Sequence, residues 1–122
     1  MNTAKKVLII DDSSYMRGKI RGMILKSGFF EVEEAADGIR GLQLAATDAY
    51  DVILLDVIMP GFDGFKILKA LSDKGVRSKV IIITADIQES VQRQCMELGA
   101  FSVLHKPPRE DQLMSRLGEA LG

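Results

Sequence analysis

Short β-branched runs recur along this chain between longer segments whose apolar residues fall at helical spacing, so the pattern predicts alternating strands and helices. KKVLIID (residues 5–11) reads as the first strand. Beyond it Met16, Ile20, Met23 and Ile24 repeat at helical intervals from a start at DSS, where Asp12 or Ser13 can cap the exposed amides; Gly28 ends the helix. FEVEEA (30–35) predicts a second strand in which Phe30, Val32 and Glu34 alternate against Glu31 and Glu33, and DGIRGLQLAAT (37–47) a second helix weakened by Gly41. DVILLD (51–56) is the third strand and DGFKILKAL (63–71) the third helix. KVIIIT (79–84) precedes IQESVQRQCMEL (87–98), a fourth helix with Ile87, Val91, Cys95 and Leu98 on one face and Gly99 at its close. FSVLH (101–105) is a fifth strand. After two prolines, EDQLMSRLGEAL (110–121) sets Leu113, Leu117 and Leu121 on one face of a last helix.

The first, third and fourth strands are apolar on both faces, as a parallel sheet covered by helices on each side requires. Right-handed crossovers then favour a doubly wound α/β sheet. Five strands most simply give the order 2-1-3-4-5, with a ligand crevice at the carboxyl ends of strands one and three. No repeat, low-complexity tract or linker interrupts this scheme, so a single domain is expected over residues 1–122.

One stretch, VILLDVIMPGFDGF (52–65), runs apolar up to an acid, Asp56, and then breaks at Pro60 and Gly61. A carboxylate at the tip of a buried strand must find a partner or shift its pKa. Asp56 ends strand three while Asp11 and Asp12 end strand one, so three carboxylates converge on one edge. They repel one another unless a hard divalent cation neutralises them, and Mg²⁺ suits a few carboxylates plus water. Thr84 ends strand four and Lys106 follows strand five, which adds a hydroxyl and an ammonium to the same crevice. An anionic nucleophile, a cation, a hydroxyl donor and a lysine form a set suited to phosphoryl transfer, which needs in-line positioning and neutralisation of spreading negative charge.

Each of these residues alone has an ordinary reading. Asp12 reads equally as a helix cap, Asp56 as a solvated strand end, Thr84 as a cap of helix four and Lys106 as a surface lysine. Their weight comes from four strand ends each supplying polar groups to one edge. His105 has no second histidine or cysteine to complete a ligand set and reads as a packed or exposed strand residue. Met16, Met23, Met59, Met96 and Met114 are scattered as core filler.

Composition narrows the function further. With 16 basic and 17 acidic residues the net charge is −1, so no basic stripe indicates direct nucleic-acid binding. The longest aliphatic runs, VLII and VIII, fall far short of the roughly 18 residues of a membrane span, and no signal pattern follows Met1. A cytoplasmic location and no membrane attachment are expected. The single cysteine, Cys95, has no disulfide or zinc partner and reads as a small apolar helix residue.

The segments LIIDDSSYMR, VILLDVIMPGFDG, VIIITA and LGAFSVLHKP, in that order, resemble the receiver domain of two-component response regulators over essentially the whole chain. The resemblance implies a flavodoxin-like fold and a phosphorylation-activated signalling switch. On it, Asp56 accepts a phosphoryl group from a phosphohistidine on a histidine kinase or phosphotransfer protein. Asp11, Asp12, Asp56 and the carbonyl of Ile58 hold Mg²⁺, Thr84 bonds the phosphoryl oxygen, and Lys106 pairs with it. The face of the fourth helix, fifth strand and last helix would carry the signal to an output protein, and the Lys106–Pro107 peptide would be cis. Ile58 and Asp86, two places after the acceptor and the threonine, would tune dephosphorylation.

Two positions depart from the family's usual pattern. Val103 stands where an aromatic side chain three residues before the lysine usually couples to the threonine, and Phe101 is expected on the same side of the strand but too far up to replace it. Pro108 follows Lys106–Pro107 and should stiffen the entry to the last helix. A stand-alone, chemotaxis-type regulator fits best, acting as a phosphoacceptor that assists its own chemistry and not as an enzyme. A receiver cut from a longer regulator, a small aspartyl-phosphate phosphatase and a degenerate docking module are the alternatives.

Overall fold

The computed structural model describes residues 4–59 and 61–122, so the break expected at Pro60 lies outside the described residues. The chain runs β1 (Lys5–Ile10), α1 (Ser14–Leu25), β2 (Phe30–Ala35), α2 (Gly38–Thr47), β3 (Val52–Leu55), β4 (Ile58–Met59), β5 (Phe62–Asp63), α3 (Gly64–Asp73), β6 (Lys79–Thr84), α4 (Glu89–Glu97), β7 (Ser102–His105) and α5 (Glu110–Leu121). Five strands form one sheet in the order β2-β1-β3-β6-β7, every pair parallel. Setting aside the small β4-β5 hairpin, this is the doubly wound order 2-1-3-4-5 expected from the sequence.

Alternating side chains of the central strands feed two separate cores. Leu8, Ile10, Ile53, Leu55 and Ile82 pack with Ala45 of α2, Leu68 and Leu71 of α3 and Cys95 of α4. Val7, Ile9, Val52, Leu54, Ile81 and Ile83 pack on the opposite face with Ile20 and Ile24 of α1 and Leu113 and Leu117 of α5. Burial on both faces is why these strands read as continuous apolar runs.

Local chemistry sets the element boundaries. Ser13, and not Asp12, caps α1, its hydroxyl accepting from the Met16 amide at 3.1 Å. That choice leaves the Asp12 side chain exposed at the crevice. Asp37 and Asp63 cap α2 and α3 in the same way. Helix α4 begins at Glu89 behind Gln88, which makes no side-chain cap, so Thr84 does not cap it and Ile87 lies ahead of the helix, 43% exposed. Only Val91, Cys95 and Leu98 of the expected apolar face pack inward.

Strand β2 keeps the expected alternation: Phe30 and Val32 pack in the core with α1, Ala35 packs in the opposite one, and Glu34 shares the α1 face at its exposed margin. There it pairs with Arg17 and Arg21 of α1 at 3.0 and 3.2 Å. Gly41 does not simply weaken α2. A Cβ there would stand 2.4 Å from Cδ1 of the fully buried Ile10, so the glycine lets α2 lie close against β1.

The hairpin of β4 and β5, antiparallel with Ile58 opposite Asp63, carries the chain from the tip of β3 into α3. Gly64 closes it tightly. A Cβ on Gly64 would stand 2.2 Å from Cα of Val57, a backbone atom that cannot swing away. Gly64→Ala should therefore displace the segment after Asp56 and cost about 1–3 kcal/mol, read as a lowered urea midpoint. A midpoint equal to that of the parent chain would show that the close approach is not required.

Candidate functional site

Parallel strands all deliver their carboxyl ends to one edge, and the polar residues of the site sit where they stop. Asp11 follows β1 and Asp56 follows β3, held in step by the Asp56 amide donating to the Ile10 carbonyl at 3.1 Å. Thr84 is the last residue of β6, opposite His105 of β7, and the Lys106 amide donates to the Thr84 carbonyl at 2.9 Å. The Lys106–Pro107 peptide is cis, as the resemblance implied.

Lys106 lies between two acids. Its ammonium is 2.9 Å from Oδ2 of Asp11 and 2.9 Å from Oδ2 of Asp56, both of which are almost wholly buried. The remaining oxygens are held by backbone amides: Ser13 donates to Oδ1 of Asp11 at 2.8 Å and Ile58 to Oδ1 of Asp56 at 2.9 Å. Asp12, exposed, brings a third carboxylate into the group, with one oxygen of each acid within 4.8 Å of the others.

The electrostatics are unbalanced. Burial pushes the Asp56 carboxyl above its ordinary range; the hydrogen bonds from Lys106 and the Ile58 amide oppose this without cancelling it, and the charge of Asp11 adds a smaller upward push. For Lys106, burial favours the neutral amine, yet the two carboxylates outweigh it and hold the ammonium charged more firmly than usual. Three carboxylates against one ammonium leave excess negative charge in a poorly solvated cleft. The donor set fits Mg²⁺: hard oxygen ligands, close enough to share one small ion, with the exposed Asp12 side open to the waters that this ion retains.

The other positions fall around this centre. Thr84 is fully buried, and the Asp86 amide donates to its hydroxyl at 3.4 Å. The Asp86 carboxylate turns back to accept from the Gln88 amide at 3.0 Å. Ile58 is 49% exposed at the start of β4. Val103 pairs with Ile82 and packs in the core beneath α3 and α4. Phe101 corrects an expectation: it packs in the opposite core, with the Lys79 ammonium 5.6 Å from its ring centre. Strand β7 begins only at Ser102, so strand alternation does not extend back to Phe101. His105 is exposed.

Sequence reasoning missed Arg17. Its guanidinium reaches back along α1 to the Asp11 carbonyl at 2.7 Å. Helical side chains lean toward the N-terminus, so a long donor near the start of a helix was the available signal.

An acid-lined crevice at the carboxyl edge of a 2-1-3-4-5 sheet, with a lysine bridging two of its acids, places the chain among the flavodoxin-like α/β domains that bind ligands at that edge. The family model of the response regulator receiver domain matches residues 7–118, and the chain belongs to that family. It is 28% identical over 118 residues to the chemotaxis protein CheY of Bacillus subtilis (strain 168), covering 97% of this chain and 98% of that one. The solved structure of chemotaxis protein CheY4 of Vibrio cholerae superposes with a TM-score of 0.88 at 30% identity, covering 98% of this chain and all of the other. The receiver domain of the sensor histidine kinase PA1611 of Pseudomonas aeruginosa PAO1 gives 0.86 at 27% identity, covering 98% and 99%, and that structure has a magnesium ion coordinated in its active-site cleft. Among the described residues no helix is long and apolar enough to cross a membrane.

Proposed function

We propose that this receiver takes a phosphoryl group on Asp56 from a phosphohistidine of a histidine kinase or phosphotransfer protein, in a Mg²⁺-dependent step. The phosphorylated chain then changes the affinity of its α4–β7–α5 face for an output protein. The observation that carries this reading is the pairing of Lys106 with both Asp11 and Asp56 inside an acidic cluster. An Asp56 carboxylate oxygen attacks phosphorus, the phosphorus–nitrogen bond breaks, and the charge that spreads over the phosphoryl oxygens must be neutralised in place. Lys106 is oriented for that by the carboxylates it already holds, and Thr84 offers a hydroxyl from the adjoining strand end. Asp11, Asp12, Asp56 and the Ile58 carbonyl would hold Mg²⁺, which supplies further neutralisation of the phosphoryl oxygens. The magnesium-bound PA1611 receiver supports the metal assignment.

The chain acts as a switch in the cytoplasm and not as an enzyme with a separate substrate, assisting only its own phosphorylation and slow dephosphorylation. The similarity to the chemotaxis protein CheY supports a chemotaxis-type reading. Val103 has no ring to swing inward, so the output face responds through shifts of the segment between Thr84 and α4. Incubating the protein with acetyl phosphate and Mg²⁺, followed by intact mass and peptide mapping, should label Asp56 alone. A label retained in Asp56→Asn would identify a different acceptor.

Hydrolysis of the aspartyl phosphate needs a water lined up by polar groups. Ile58 offers only bulk, and one Asp86 oxygen is already occupied by the Gln88 amide. The phosphoryl group should therefore be long-lived. In Ile58→Asn, one ordinary hydrogen bond to the water, about 1 kcal/mol, should speed its loss roughly fivefold. Decay of the labelled protein after removal of acetyl phosphate measures this; an unchanged or slower loss would refute the role given to position 58.

A further inference from the structure

We propose that Arg17 is a positioning residue for the metal site, fixing the peptide between Asp11 and Asp12 so that the Asp12 carboxylate faces the cation. This rests on the Mg²⁺ reading above. Each polar backbone or side-chain group of Asp11 is tied down: its amide donates to the Ala35 carbonyl at 3.1 Å, Ser13 and Lys106 hold its carboxylate, and Arg17 Nη1 holds its carbonyl at 2.7 Å. Asp12 is different. It is exposed, and its side chain is placed by the peptide on which it stands.

Arg17 is itself braced. Its side chain is only 15% exposed, and Nε donates to Oε1 of Glu34 on the edge strand β2 at 3.0 Å. Arg21, one turn further along α1, takes the other Glu34 oxygen at 3.2 Å and the Val32 carbonyl at 3.1 Å. Two arginines thus share one carboxylate, but only Arg17 touches the metal loop. The guanidinium fork makes both contacts at once, which a lysine's compact ammonium cannot reproduce. Partners behind metal ligands typically control about 10–100-fold of metal affinity by fixing ligand orientation.

The sign of the effect separates positioning from charge. Removing a cation close to a cation site should strengthen Mg²⁺ binding if Arg17 acts only through its field. Positioning predicts weaker binding. Calorimetric titration of the full chain with Mg²⁺ alone, with thermal unfolding in a chelator as the stability reference, decides between them. Arg17→Met and Arg17→Lys should each bind Mg²⁺ about tenfold more weakly. Arg21→Met, which loosens the same α1–β2 seam without touching Asp11, should stay within about twofold of the parent. Parent-like or tighter binding by Arg17→Met or by Arg17→Lys would overturn the proposal, as would an equal loss in Arg21→Met. Should Arg17→Met fail to fold, Arg17→Lys, which keeps the charge, decides alone. A parent chain with no saturable Mg²⁺ binding would instead overturn the metal reading itself, and this one with it.

Discussion

The Lys106 ammonium stands 2.9 Å from a carboxylate oxygen of Asp11 and 2.9 Å from one of Asp56, and the rest of the molecule is arranged to hold those groups together. Neither acid could remain both buried and ionised without compensating charge or hydrogen bonds beside it. The parallel sheet makes the meeting possible by ending β1, β3, β6 and β7 at one edge, and the two apolar cores fix the strand register on which it depends. One lysine cannot balance three carboxylates. The proposed divalent cation would offset that imbalance and would then share the anionic phosphoryl group.

Closely packed elements surround Asp56. Gly64 presses against the Val57 backbone directly after Asp56, and the Ile58 amide caps the other side of the Asp56 carboxylate. Opposite them, the segment from Ala85 to Gln88 is held by two local bonds from backbone amides, one of them to the Thr84 hydroxyl. A helix that starts without a side-chain cap follows it. A change in the hydrogen bonding of Thr84 therefore has a short path into α4, and none of it runs through a ring at position 103.

Much of this was legible in the sequence because it depends on residues with one physical reading. A run such as VIII between polar segments has to be a strand buried on both faces, and an acid at the end of such a run has to lie at an edge. The hairpin of β4 and β5 escaped because two-residue strands have no periodicity to detect. Alternation places Glu34 on the face of Phe30 and Val32, but its ion pairs with Arg17 and Arg21 depend on where the fold sets α1. Phe101 was placed by extending a strand one residue too far, which moved it to the wrong core. Gly41 counted against α2 as a propensity, but its close approach to Ile10 is a packing fact that only the fold supplies. Arg17 was hidden because its partner is a backbone carbonyl, which no residue type announces.

The central claim is that the acidic crevice is a divalent-cation site in which Asp12 is a ligand and not merely a charge near a helix start. Calorimetric titration of Asp12→Asn with Mg²⁺ tests it most directly, because the substitution keeps the size and the exposed position of the side chain. The account predicts one saturable site in the parent chain and binding weakened about tenfold or more in the variant. Equal affinity in Asp12→Asn would contradict it.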